Sequence, residues 1–437
     1  MVYNLSGTDI EARISRRDVS IGFIGLGRVG LPLAATLAGE GFQVLGVDIN
    51  ENTVSIINSG SSPVTDENGL SELIHRVVSQ GTLKATLTLQ DAAQCDVYII
   101  AVPTLITGEE PDIGPVIGVS HQLAKIMTPG KLVVLQSTVP PGTTQNTLGS
   151  IIQQESGLIP GTDFGLAYSP ERTQAPQVLR DLRTYPKIVG AIDSKSRMIL
   201  SLIYATFAPG IMSMSNLVTA ELDKVVENTY RDVNIAFANE LAQICSIYGV
   251  DVQELIDTAN SQPYCHILQP GLVGGHCIPM DPYYIISDLT RRNYAPRLIK
   301  TARDLNNSVF QYVVDMLGET VKRVTVLGLS FKKDIKSFET SHTLKLVELL
   351  ERNNKEVVVH DPYLTDEVFP FEVDTDIYKS CREADAVIIS TAHSVYNSLD
   401  FNKLGSIMNG RVIIDVRNIL DPAEARRCGF EYHGLGR

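Results

Sequence analysis

The sequence predicts an α/β protein built from two doubly wound, Rossmann-like domains joined by a long central helix. Three observations carry this expectation. A strand pattern runs through a glycine triplet into an apolar-periodic helix near residue 25; a strand pattern starts afresh at VKRVTVLGLSFKKD; and a long proline-free stretch between them keeps its apolar residues at helical spacing. The expected division is 1–214 for the first sheet, 215–310 for the central helical region, and 311–437 for the second sheet.

Composition narrows the function classes. With 437 residues, 44% hydrophobic and 20% charged, the chain can bury two or three cores and is unlike a disordered protein. A formal net charge of -13 argues against general nucleic-acid or anionic-membrane binding, while leaving room for a local basic pocket. The six cysteines are scattered without paired or zinc-type spacing, so reduced thiols, no metal site and a cytoplasmic location are expected. The first residues, MVYNLSGTDIEARISRRD, lack an apolar leader core, and no apolar run reaches membrane-spanning length, so no membrane association is expected.

In the first domain, VSIGFIGLGRVGLPLAATLAGEGFQVLGVDIN reads as strand, glycine turn, helix and strand. Gly25, Gly27 and Gly30 fit the dinucleotide pattern: the first allows a tight turn, the second admits a pyrophosphate, and the third lets helix and strand pack closely. Arg28 and Val29 lie within the same turn, and the helix start supplies a favourable field for phosphate. Asp48 closes the second strand, where a carboxylate suits a ribose 2′-hydroxyl and repels a 2′-phosphate. NAD is therefore expected over NADP. Two further strands, CDVYIIAVPT and KLVVLQSTVP, end in proline-bearing turns, which puts Val102, Pro103, Thr104 and Thr138 on the expected cofactor rim. Thr138 reads equally well as an ordinary cap or turn residue.

The central stretch, from Asn216 to about Gly249, reads as one helix bridging two domains. Lys224, Asn228 and Arg231, spaced by four and three, share one face, which is either a solvated polar stripe or one side of a reactive site. The second sheet lacks the glycine fingerprint. Lys332, Lys333 and Arg417 nevertheless fall just beyond its strands, where cations either hold a diphosphate or serve as loop surface charges.

Between the two sheets lies GLVGGHCIPMD, with Cys277 followed four residues later by Asp281. A thiolate there can attack an aldehyde, and the resulting thiohemiacetal can lose a hydride to give a thioester open to hydrolysis. Such chemistry needs a cation for developing oxyanions and a group to position water; Lys224, Asn228 and Asp281 are the required types. The glycines, Gly275 among them, let a substrate approach the backbone closely.

Taken together, GLGRVGLPLA, STVPPGT, AYSPER, AELDKVVENTYRDVNIAFANEL, GGHCIPMDPYY and LSFKKD resemble the UDP-glucose/GDP-mannose dehydrogenase family over essentially the whole chain. The resemblance implies an NAD-dependent four-electron oxidation of a nucleotide sugar's C6 alcohol to a carboxylate, by a homodimer built on the central helix. It implies Cys277 as nucleophile and Lys224 with Asn228 as oxyanion stabilisers. It also implies Asp281 with Thr138 around the catalytic water, and Glu171 of SPER in thioester hydrolysis. Lys332 and Arg417 match positions that grip uridine diphosphate. ENTYRDVNIAFANEL followed by ILQPGLVGGHC resembles the branch acting on UDP-N-acetyl-D-mannosamine more than the UDP-glucose branch, and places Arg231 near the acetamido sugar; UDP-N-acetyl-D-glucosamine is the rival substrate.

The chain departs from the family pattern in three places. Ala175 stands where UDP-glucose enzymes carry a second glutamate; KSFETS brings Lys336 and Glu339 to positions of opposite charge; and Tyr264 replaces a frequent arginine. Two other function classes fit parts of the sequence: a two-electron hydroxyacid dehydrogenase with an inert cysteine, and a catalytically silent NAD-binding protein.

Overall fold

The structure, a computed structural model, describes residues 1–364 and 368–437. The chain falls into two compact units, Met1–Glu227 with Tyr283–Tyr294, and Asn228–Pro282 with Ala295–Arg437.

The first unit is built on eight strands: β1 (Ser20–Ile24), β2 (Gln43–Val47), β3 (Leu83–Thr86), β4 (Val97–Ile100), β7 (Leu132–Leu135), β8 (Gly165–Tyr168), β9 (Lys187–Ala191) and β10 (Ile211–Ser213), with β5 (Leu105–Thr107) and β6 (Glu110–Asp112) forming a separate hairpin. Sheet order is β10-β9-β8-β7-β4-β1-β2-β3, and pairing is parallel except between β8 and β9. From β3 to β8 this is the doubly wound 3-2-1-4-5-6 order, whose crevice lies at the carboxyl ends beside β1. Strand alternation feeds two apolar layers: Ile21, Phe23, Val97 and Ile99 enter one, while Ile24, Tyr98 and Ile100 enter the other.

The second unit repeats the plan with β11 (Arg323–Leu327), β12 (Glu356–His360), β13 (Glu372–Asp374), β14 (Ala386–Ile389), β15 (Val412–Asp415) and β16 (Glu431–Gly434), ordered β13-β12-β11-β14-β15-β16 and wholly parallel. Val324, Val326, Ala386 and Ile388 face one core and Leu327, Val387 and Ile389 the other. The sequence therefore specifies both doubly wound sheets through the same device, short β-branched runs buried on two faces.

The central helix spans Leu217–Tyr248, 32 residues without a break. Among the described residues no helix is long and apolar enough to cross a membrane, and no group of three or more His, Cys, Asp or Glu is placed to hold a metal ion.

Candidate active site

In the first unit the three glycines of the turn after β1 have separate physical reasons. Gly25 has φ +94°, and a Cβ there would lie 2.3 Å from the Ala101 carbonyl oxygen. At Gly30 a Cβ would fall 2.1 Å from the Gly25 carbonyl, so helix Gly30–Gly39 can approach the turn only without a side chain. Around Gly27 nothing lies within 4 Å of a built Cβ; this is the open face a pyrophosphate requires. Val29 stands exposed immediately before the helix, and Arg28 is ion-paired with Asp66.

Asp48, at the end of β2, accepts from Leu26 N at 2.8 Å and from Asn50 N at 2.9 Å. One carboxylate thus ties the second strand to the glycine turn. Val102, Pro103 and Thr104 leave β4 on the same carboxyl edge; Ser137 Oγ donates to Val102 O at 2.7 Å and Tyr284 Oη to Thr104 O at 2.9 Å. Thr138, half-buried, follows β7 on that edge. The unfilled face at Gly27, the helix start and Asp48 together fit NAD.

Glu171 is buried and filled. Arg172 N (2.8 Å) and Thr173 N (3.1 Å) donate to Oε1, while Gln136 Nε2 and Lys187 Nζ, each at 3.1 Å, donate to Oε2. Burial opposes ionisation here, yet the Lys187 ammonium and the backbone donors outweigh it and hold the carboxyl below its ordinary range. With its acceptor sites occupied, Glu171 anchors the strand ends, and accepting a proton requires one of these bonds to open first.

Lys224 is half-buried on the central helix, one turn before Asn228. Sequence reasoning missed its neighbour Glu221. This fully buried carboxylate accepts from Gly142 N (2.5 Å), Thr144 N (2.8 Å) and Thr144 Oγ1 (2.6 Å), fastening the STVPPGT turn to the helix that carries Lys224. Burial pushes its carboxyl up, against the pull of those donors. The available signal was a carboxylate sitting at an otherwise apolar position of the helix, next to buried Ala220 and one turn before buried Val225.

In the second unit the loop carrying Cys277 packs against the carboxyl end of the second sheet. A Cβ on Gly271 would lie 2.8 Å from Arg417 Nη1, one on Gly274 2.8 Å from both His342 N and Nδ1, and one on Gly275, where φ is +91°, 3.2 Å from the Phe331 ring. Gly275 N donates to Thr340 O at 2.9 Å. The glycines therefore serve close contact between loop and sheet edge. His342, with Nε2 3.0 Å from Ser390 O, is pushed down to about 4 by burial and by Arg417, so it packs against the loop as a neutral ring at neutral pH.

Cys277 itself is exposed. Its carbonyl accepts from Asp281 N at 2.8 Å, and Asp281 opens the helix Asp281–Arg291. Asn228 Nδ2 donates to Asp281 Oδ2 at 2.6 Å, both side chains being buried. The structure thus brings the Cys277 backbone and the Asp281 and Asn228 side chains into one hydrogen-bonded group. Arg231 is exposed one turn further along the helix. Lys332 is half-buried after β11, and Arg417 is exposed after β15. Tyr264 is 90% exposed, and Lys336 and Glu339 are exposed in the loop after Lys332.

Asp361 occupies in the second sheet the place that Asp48 has in the first. It accepts from Leu329 N (2.8 Å), Ser330 N (2.7 Å) and His393 Nε2 (3.1 Å) and is fully buried. That seal removes it from ribose recognition, consistent with a second sheet that lacks the glycine fingerprint.

Three models of the UDP-glucose/GDP-mannose dehydrogenase family match in sequence: its NAD binding domain over residues 19–208, its central domain over 218–308 and its UDP binding domain over 325–422. The UDP-N-acetyl-D-mannosamine dehydrogenase of Pyrococcus horikoshii is 34% identical over 95% of this chain and 99% of its own. A solved structure of the enzyme from that organism matches with TM-score 0.87 and 34% identity over 96% of this chain and 99% of the other. The UDP-N-acetyl-D-mannosamine dehydrogenase of Campylobacter jejuni is 37% identical over 88% of this chain and 97% of its own. An NDP-N-acetyl-D-galactosaminuronic acid dehydrogenase from Methanosarcina mazei matches in structure with TM-score 0.87 and 30% identity, over 98% of each chain.

Proposed function

Because the chain belongs to the UDP-glucose/GDP-mannose dehydrogenase family, NAD-dependent oxidoreductases of UDP-sugars, we propose that it oxidises UDP-N-acetyl-D-mannosamine at C6 to UDP-N-acetyl-D-mannosaminuronate. The observation that carries this reading is the exposed Cys277, set beside a buried Asn228–Asp281 pair on a glycine loop pressed against the sheet edge that bears Lys332 and Arg417.

In the first step the C6 hydroxyl releases its proton to solvent as C6 gives up a hydride, leaving the aldehyde. Cys277 thiolate then forms an S–C bond to the aldehyde, whose carbonyl electron pair becomes an oxyanion; the Lys224 ammonium and the Asn228 amide supply donors for that charge. A second hydride leaves C6 to give the thioester. Water, oriented by Asp281 and Thr138, adds to the thioester carbon, the C–S bond breaks, and the thiolate leaves as the carboxylate forms, the two protons of the water passing to solvent. The turn Gly25–Gly30 including Arg28 and Val29, Asp48 and the rim Val102–Thr104 would hold NAD, which would supply a two-electron hydride acceptor; two NAD, bound one after the other, would be needed for the two oxidations. Lys332 and Arg417 hold the diphosphate, and Arg231 and Gly275 face the sugar.

The working unit in this reading is a homodimer. On the central helix Val218, Leu222, Val226 and Tyr230 recur every fourth residue, with Phe237 and Ile244 beyond, and all are exposed. A contiguous apolar stripe of this kind is characteristic of a helix face that a partner covers. The scattered spacing of the six cysteines suits a reducing compartment, and we place the reaction in the cytoplasm.

The test is to offer UDP-N-acetylmannosamine, UDP-N-acetylglucosamine, UDP-N-acetylgalactosamine and UDP-glucose singly with NAD and to identify products by mass. Preferred conversion of the mannosamine sugar to its uronate is expected; turnover of UDP-glucose alone would refute the sugar assignment.

A further inference from the structure

Residues 265–274, which lead into the Cys277 loop, adopt no helix or strand. Their backbone groups must still find partners, and three asparagines supply them in matched pairs. Asn260 accepts from Ile267 N (2.8 Å) and donates to Ile267 O (2.9 Å). Asn234 accepts from Leu268 N (2.8 Å) and donates to His266 O (2.6 Å). Asn239 accepts from Gly271 N (2.7 Å) and donates to Gly271 O (3.2 Å). A primary amide offers one acceptor and one donor side by side, so each asparagine pairs with the segment as a neighbouring strand would.

The third rung is the stiffest. Asn239 is buried and donates also to Asn306 Oδ1 at 2.9 Å; Asn306 in turn donates to Asp232 O (2.9 Å) and Oδ1 (2.8 Å), and Asp232 is ion-paired with the buried Arg303. Immediately downstream, Gly271 and Gly274 lie against Arg417 and His342 with no room for a Cβ. A displacement at Asn239 therefore moves the loop into Arg417 and His342. Two of the rungs also join RDVNIAFANEL to ILQPGLVGGHC, the segments whose resemblance to the UDP-N-acetyl-D-mannosamine branch is given above.

We propose that Asn234, Asn239 and Asn260 form a ladder of positioning residues that fixes the path of residues 266–271, and through it the placement of Cys277 and the choice of sugar. The second half of this inference rests on the dehydrogenase reading above.

The test compares wild type with Asn234→Ala, a half-exposed rung whose loss leaves the core intact, and Asn239→Asp, nearly isosteric but unable to donate to Gly271 O. Amide hydrogen exchange across 266–271, Cys277 alkylation by iodoacetamide followed on its peptide, NAD affinity, and kcat and KM for UDP-N-acetylmannosamine and UDP-glucose are measured. Both variants are expected to lose exchange protection, change the alkylation rate, keep NAD affinity, and lose roughly tenfold in kcat/KM for the preferred sugar, narrowing its lead over UDP-glucose. Wild-type exchange and alkylation would overturn the ladder. Loosened exchange with unchanged kcat/KM and sugar preference would overturn its role in catalysis. Should wild type turn over no UDP-sugar, the dehydrogenase reading fails, and the exchange and alkylation arms still decide whether the asparagines hold the loop.

Discussion

Asn228 Nδ2 and Asp281 Oδ2 are joined by a 2.6 Å hydrogen bond between buried side chains 53 residues apart in sequence. The bond ties the central helix to the first turn of helix Asp281–Arg291, four residues after Cys277. Replacing the donor is therefore informative. In Asn228→Asp two carboxylates face each other in a buried place, and like charges so close raise the pair's affinity for a proton. Activity is expected to fall about 100-fold at neutral pH and to recover relative to wild type as the pH is lowered, when one carboxyl protonates and donates to the other. A pH–rate profile of the variant parallel to that of wild type would remove the pair from the chemistry.

Glu171 makes a separate prediction, about stability. Its folded-state carboxyl lies below its ordinary range, so its contribution is complete above the unfolded value of about 4.3 and is lost as the pH falls through the lower folded value. Glu171→Gln leaves Lys187 buried without its counter-charge and is expected to cost about 3 kcal/mol at pH 7. Denaturant melts of both proteins between pH 7 and pH 3 should show a constant gap down to about pH 5 that narrows below pH 4.

Asp48→Ala removes the proposed ribose acceptor together with the bonds to Leu26 N and Asn50 N. NAD binding is expected to weaken about tenfold, with the preference over NADP reduced because the repulsion of a 2′-phosphate disappears. Calorimetric titration of each cofactor measures both effects; an unchanged preference would mean another group reads the ribose.

For the oligomer, Tyr230→Glu places a charge in the middle of the exposed apolar stripe; Tyr230 is 57% exposed in the isolated chain. Sedimentation equilibrium should show a dimer for wild type and a shift toward monomer for the variant, with thermal stability of the monomeric fold nearly unchanged.

Much of this architecture was legible because it rests on local chemistry. The glycine triplet, the β-branched strands and the proline-free central stretch each declare a backbone need that sequence spacing records, as at Gly25, where only the missing Cβ spares the Ala101 carbonyl. The site was legible only where residue type implies reactivity, as with Cys277. Glu221 and Asn239 went unread because their work is long-range: Glu221 holds a turn 77 residues away and Asn239 a glycine 32 residues away, and no local pattern encodes such pairings. Glu171 shows the complementary limit. Its motif resembles one implicated in thioester hydrolysis, and the four donors around it come from Gln136, Lys187 and two backbone groups that spacing does not reveal.

The most direct measurement is NADH formed per mole of UDP-N-acetylmannosamine consumed, for wild type and for Cys277→Ser. Two NADH per uronate are expected with wild type, and near-complete loss of uronate with the variant while NAD still binds. One NADH per sugar, or uronate formed by Cys277→Ser at the wild-type rate, would contradict a four-electron oxidation through Cys277.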